Sequence, residues 1–161
     1  MTINVRQKGQ EGEREIAKIL NSIVAKVRDE FKLKQYAKED ELFQRNQNQS
    51  AVGGSDLSNP LYLEIEVKRQ EDLSVNSWWK QCITSAERTG GIPILIFRQN
   101  RKKWRVCMQA ELPLFPECSK KYLAMPRVRV EVELDTFKEW FKMYYSEWVK
   151  HNADREAGTE D

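Results

Sequence analysis

The sequence predicts an α/β fold, a mixed central sheet flanked by helices, and three observations predict it. Ile16, Ile19, Leu20, Ile23, Val24 and Val27 recur at helical spacing, residues 61–68 alternate apolar with polar, and Ile92-Pro-Ile-Leu-Ile-Phe97 is an unbroken apolar run. An amphipathic helix, a half-covered strand and a strand covered on both faces need a layered arrangement to bury their apolar surfaces. At 161 residues the chain suits one such domain. We expect that domain to occupy 1–150, with 151–161 a polar acidic tail carrying Asp154, Glu156, Glu160 and Asp161.

The helical stripe places the first helix over about 10–30. After the apolar pair Leu42-Phe43 comes Arg45-Asn-Gln-Asn-Gln-Ser50-Ala-Val-Gly-Gly54-Ser-Asp56, polar and glycine-bearing. That is loop chemistry, and Gly53-Gly54 allow a sharp bend just before Asp56. Asn59-Pro60 marks a turn. In the strand that follows, Leu61, Leu63, Ile65 and Val67 point one way and Tyr62, Glu64, Glu66 and Lys68 the other. Ser74 or Asn76 can cap a helix to about residue 88, stopped by Gly90-Gly91. The run 92–97 is the doubly covered strand, and 104–108 can pair beside it as a hairpin across a basic turn. Pro113 and Pro116 break the next segment, after which Val128, Val130, Val132 and Leu134 alternate with charges as a further strand. Asp135 is placed as N-cap of a last helix carrying Phe137, Trp140, Phe141, Tyr144 and Trp148.

Composition narrows the chemistry. At 40% hydrophobic and 32% charged, the chain can build a core. Its net charge is only +2, so a nucleic-acid surface must come from clustering. Basic groups do cluster in Arg98-Gln-Asn-Arg101-Lys102-Lys103-Trp104-Arg105, although alone such a run reads first as a solvated loop. His151 is the single histidine and sits in the polar C-terminal stretch. Ser-His-Asp and Cys-His hydrolases, HNH-type nucleases and histidine zinc sites therefore lack their central residue. An enzyme of this sequence works with carboxylates and lysines. Cys82, Cys107 and Cys118 are odd in number and lack CxxC spacing, which suits reduced thiols inside a cell. No apolar stretch approaches the ~20 residues of a membrane span, and no signal-peptide core opens the chain. We expect a soluble cytoplasmic protein with no membrane partner.

Glu66-Val67-Lys68 carries the chemical argument. Two apart on a strand, Glu66 and Lys68 project from one face about 6.6 Å along it. There a carboxylate can hold a cation while an ammonium orients water or offsets phosphate charge. Alone, the pattern describes any half-exposed strand. Asp56 strengthens it: if 55–57 pair with 61–68, a register setting Asp56 opposite Glu64 or Glu66 puts its carboxylate on the polar face, and a one-residue slip buries it among leucines. Burying an unpaired carboxylate costs several kcal/mol, so the polar-face register wins. Two carboxylates so placed can share a hard cation such as Mg²⁺. Glu13 lies roughly 50° from the centre of the first helix's apolar stripe, whereas Glu11 and Glu15 point well away. It can lean toward the sheet edge, or it is an ordinary first-turn glutamate favoured by the helix dipole.

Lys8-Gly9-Gln-Glu-Gly-Glu13-Arg14-Glu15-Ile16, then Gly54-Ser55-Asp56, then Ile65-Glu66-Val67-Lys68 together resemble the PD-(D/E)XK nuclease superfamily, most of all its archaeal-type and phage-type Holliday junction resolvases. The run from Trp78-Trp79-Lys-Gln81 through Gly90-Gly91-Ile-Pro93-Ile-Leu-Ile-Phe97-Arg98 is similar to the helix-strand unit that completes their core. The likeness covers about 6–106. It implies a restriction-endonuclease-like αβββαβ core, here with an added C-terminal strand and helix, and phosphodiester hydrolysis with Mg²⁺ or Mn²⁺. By matching motif, Asp56 and Glu66 would be metal ligands, Lys68 the catalytic lysine, and Glu13 a helix acid binding metal directly or through water. The Val67 main-chain carbonyl would be a further ligand. Ser55 departs from the proline of the motif's name.

The resemblance implies a phage or prophage source, a homodimer, and a branched four-way junction as substrate, without a small-molecule cofactor. A restriction-like, nicking or recombination-associated nuclease, or a non-catalytic DNA-binding protein on the same scaffold, are the competing readings. DNA contacts are expected from Arg45, Gln49 and Ser50 beside the metal, and from Arg101, Lys102, Lys103 and Arg105 on outlying arms. The tryptophans read first as packing or a dimer face, and only then as base-stacking platforms.

Overall fold

The computed structural model describes residues 4–47, 54–112 and 126–157, with side chains as far as 152. Its elements are α1 (Val5–Glu30), β1 (Gln44–Arg45), β2 (Leu57–Ser58), β3 (Leu63–Gln70), α2 (Val75–Thr89), β4 (Ile92–Gln99), β5 (Arg105–Glu111), β6 (Arg127–Glu133) and α3 (Leu134–Ala157). All six strands form one sheet in chain order. β3 and β4 run parallel and every other neighbouring pair is antiparallel. A parallel pair needs a crossover, and α2 supplies it.

The helical stripe of α1 is buried through Ile16, Ala17, Leu20, Ile23, Val24 and Val27. The helix starts earlier than its stripe, because Asn4 caps it by accepting from the Arg6 amide at 3.1 Å. Its first turns are polar and mostly exposed, so no apolar period marks them. Ser74 precedes α2 but makes no side-chain cap, and Gly90 closes that helix in the left-handed region at φ 72°.

The ladder register assigns the two faces. Ile65 and Val67 stand beside Ile94 and Ile96, and they share the main core with α1, Phe43 and α3. Glu66 and Lys68 stand beside Leu95 and Phe97 on the other face, where Trp78 of α2 and Cys107 complete a smaller core. β4 is therefore buried on both faces, as its unbroken apolar run predicts.

α3 packs a stripe at four-residue spacing, Phe137, Phe141, Tyr145 and Val149, into the main core. The aromatics of this helix, including Trp140 and Trp148, thus pack largely within the chain, the packing first expected of the tryptophans. The N-cap expectation for Asp135 is corrected, because β6 runs straight into α3 and Asp135 lies in its first turn. The helix continues to Ala157, into the stretch assigned to a tail. Pro113 and Pro116 lie outside the described residues.

Candidate active site

β2 and β3 fix the register on which the site depends. Leu57 stands opposite Ile65, and the Asp56 amide donates to the Ile65 carbonyl at 2.8 Å, so Asp56 faces Glu66 across the hairpin. The Val67 amide in turn donates to Asp56 Oδ2 at 2.7 Å, which fixes the carboxylate over the strand. A residue's N–H and C=O leave an extended strand on one edge, so the Val67 carbonyl is directed to the edge where Asp56 stands. Ser55 donates its hydroxyl to the Leu57 carbonyl at 2.9 Å, closing the bend that proline would stiffen. Asn46, beside β1, holds the same bend through a 3.2 Å bond to the Ser55 carbonyl.

Asp56 and Glu66 are 6% and 5% exposed, so two carboxylates lie together out of water. Lys68 Nζ is 3.3 Å from Glu66 Oε2 and is the ammonium that balances them. Burial first, and then the charge of Asp56, push the Glu66 carboxyl up to about 7, against the pull of Lys68.

An open cleft of about 600 Å³ lies at this end of β3, lined by Glu13, Arg45, Asp56, Val67, Lys68 and Gln70 among others. Glu66 is not on its wall. Glu13 enters from α1, which packs on the Val67 face of the sheet through Gly12, opposite the face of Glu66 and Lys68. Its Oε2 accepts from Arg45 Nε at 2.7 Å. Glu13, Asp56 and Lys68 thus share one cleft, and Glu66 faces Asp56 off its wall. Among the described residues no group of three or more acids, histidines or cysteines is placed to hold a metal. The helix phase is as read: Glu15 accepts from the Trp104 indole at 3.0 Å and pairs with Arg98 at 3.1 Å, and Glu11 reaches Arg69.

Asp56 and Glu66, which face each other, offer oxygen donors, and strand geometry directs the Val67 carbonyl to the same edge. The nearby Cys82 thiol is pushed up to about 12 by burial and by the Glu66 charge, so it stays protonated and offers no thiolate. Carboxylate oxygens are the donors that a hard divalent cation such as Mg²⁺ or Mn²⁺ takes.

The basic turn lies at the same end of the sheet, its Asn100 amide bonded to the Gln70 carbonyl at 3.3 Å. Arg101, Lys102 and Lys103 are exposed there and make no ion pair among the described residues. Arg105 lies on β5, in the strand expected over 104–108, and pairs with Glu131 at 2.8 Å. Arg45 is likewise engaged, by Glu13. Gln49 and Ser50 lie outside the described residues. Trp78 and Trp104 are buried, which corrects any base-stacking role for them, and Gln81 and His151 are exposed. Sequence reading missed Arg6 and Gln10, which line the cleft beside Glu13. Their spacing, i, i+4 and i+7 on one helical face, was visible once Asn4 is taken as the cap.

A family model described as "Phage putative PDDEXK endonuclease" matches residues 4–155. Protein D14 of Escherichia phage T5 is 23% identical over 70 residues, 43% of this chain and 44% of that protein, so the match takes in less than half of the relative's length. Among solved structures, Hjc of Archaeoglobus fulgidus, a Holliday junction resolvase from an archaeal hyperthermophile, aligns with 16% identity and a TM-score of 0.42. That alignment covers 82% of this chain and 96% of the other.

Proposed function

The chain belongs to the phage PDDEXK endonuclease family, and from that premise we propose that it hydrolyses DNA phosphodiester bonds with Mg²⁺ or Mn²⁺ at a centre made by Asp56, Glu66 and Lys68. The observation that carries this reading is the buried pair of carboxylates facing each other across β2 and β3 beside an open cleft, with the Lys68 ammonium 3.3 Å from Glu66. Asp56, Glu66 and the Val67 carbonyl would hold the cation, which when bound supplies Lewis-acid polarisation of the phosphate and a lowered pKa for water.

The chain's own groups do the rest. The Val67 amide keeps Asp56 in one rotamer, so the site is set before substrate arrives. Lys68 places its ammonium where water attacks phosphorus, holding that water or the charge that gathers on the phosphate as the opposite P–O bond breaks. Glu13 acts less directly, by fixing Arg45 on the cleft wall where its remaining N–H groups meet a DNA phosphate. Arg101, Lys102 and Lys103 bind phosphates farther along.

The favoured substrate is a four-way junction, cut on two opposing strands by a two-fold dimer, because two symmetry-related strands call for two symmetry-related sites. The reduced, buried Cys82 and Cys107 support action in the host cytoplasm. The test is cleavage of a four-way junction against its linear arms in Mg²⁺. Paired cuts near the branch point on the junction, with the arms left whole, support resolution. Equal cutting of both leaves a duplex nuclease of the same family.

A further inference from the structure

The long free edge of the sheet is β6. Sheet order makes it outermost, and no described residue pairs with its outer side, whereas the opposite edge, β1, has only two residues. An edge strand of seven residues offers unpaired N–H and C=O groups to any strand that fits it. The sequence of β6 is Arg127-Val-Arg-Val-Glu-Val-Glu133, so its charges invert when it is read backwards. An antiparallel second copy centred on Val130 sets Arg127 against the partner's Glu133, Arg129 against the partner's Glu131, and Val128 against the partner's Val132. Opposite charges facing each other across strands favour pairing and like charges oppose it, so parallel pairing in register is disfavoured.

The outer side chains are available for this, while Arg129 donates to Asn76 at 2.8 Å and Glu131 pairs with Arg105 at 2.8 Å, exposed contacts that a partner strand must replace. Arg127 and Glu133 are 68% and 75% exposed, and their present partners, Glu111 at 3.3 Å and Arg105 at 3.9 Å, are exposed too. Exposed pairs of that kind hold little and exchange readily. Val128, Val130 and Val132 are only half-buried on the other face.

We infer that two copies of the chain join β6 to β6 about a two-fold axis through Val130, normal to the sheet, which continues one sheet into the next. Glu66, Leu95, Cys107 and Glu131 lie in one row of the ladder, one residue from that axis. With strands about 4.8 Å apart, the two Glu66 side chains stand on the order of 30 Å apart on one face of the joint sheet. The interface rests on the strand alone, and it supplies the two-site assembly that junction cutting calls for.

The test uses two full-length charge variants, Arg127→Glu/Arg129→Glu and Glu131→Arg/Glu133→Arg, followed by sedimentation over a concentration series. The wild type should reach twice the chain mass. Each variant alone faces like charge with like, and its self-association should weaken at least about tenfold, while the equimolar mixture should regain the dimer. A wild type that stays monomeric, or variants that dimerise alone as the wild type does, overturns the inference. Val130→Cys gives a second reading that does not depend on the charge variants folding. Under a copper oxidant it should cross-link to a covalent dimer, and Val128→Cys should not, since only residue 130 meets itself on the axis. Equal cross-linking at both positions, or none at Val130→Cys, overturns it without bearing on nuclease activity.

Discussion

Replacing Glu66 with glutamine removes a carboxylate that the fold holds against its own preference for water. Burial, and then Asp56, raise its pKa from 4.5 to about 7, with Lys68 pulling the other way. A group whose folded pKa is raised contributes stability while it is protonated. That contribution is complete below about pH 4.5 and is lost as pH rises through about 7. The rise from 4.5 to about 7 corresponds to a few kcal/mol, on the order of 3. In chelator, the wild type should therefore lose about 3 kcal/mol between about pH 4.5 and pH 8 through this one group. For a chain of this size that is a fall of about 6–12 °C in Tm. Glu66→Gln, neutral throughout, should lack that loss and should be the more stable protein at about pH 8. Added Mn²⁺ should return stability to the wild type and leave the variant unchanged, because only the wild type presents the full donor set. Urea unfolding followed by far-UV circular dichroism across pH measures all of this. Parallel pH profiles for the two proteins would refute the reasoning.

Lys68→Met keeps most of the packed stem and removes the ammonium, so Mn²⁺ binding by calorimetry should survive while single-turnover cleavage collapses. Glu13→Gln should slow cleavage less than Asp56→Asn does, since Glu13 is held by Arg45 and Asp56 faces Glu66 directly; the reverse ranking in the same assay would place the helix acid at the centre. Glu15→Gln should leave the cleavage rate intact and cost about 1 kcal/mol of stability in urea unfolding, through the weakened bond to Trp104. Lys102→Gln with Lys103→Gln should lower the slope of log K against log salt by up to about 1.8 without changing which DNA is preferred, as measured by filter binding over a salt series.

The strands and helices that pack by period were legible in the sequence. The stripe of α1, the alternation of β3 and the apolar run of β4 each reflect burial, which side-chain type alone signals. Parity did the same for the site: only one face of the hairpin tolerates Asp56, and the structure sets it opposite Glu66. β1 was not legible, because two residues carry no period; it is held by the buried Asn21, whose side chain bonds both the amide and the carbonyl of Phe43. Nor was the pairing of Glu13 with Arg45. Helix phase gives the direction of a side chain, but not which face of the sheet its helix covers. The Arg45 partner that holds Glu13 lies 32 residues away in sequence, a distance at which no local pattern speaks.

The central claim, a divalent-cation endonuclease whose chemistry depends on the facing carboxylates, is tested most directly by single-turnover cleavage of branched DNA in Mg²⁺ by the wild type and by Asp56→Asn, with binding measured in parallel in Ca²⁺. Cleavage is expected from the wild type alone, with equal binding by both. Cleavage by Asp56→Asn at the wild-type rate would contradict that claim.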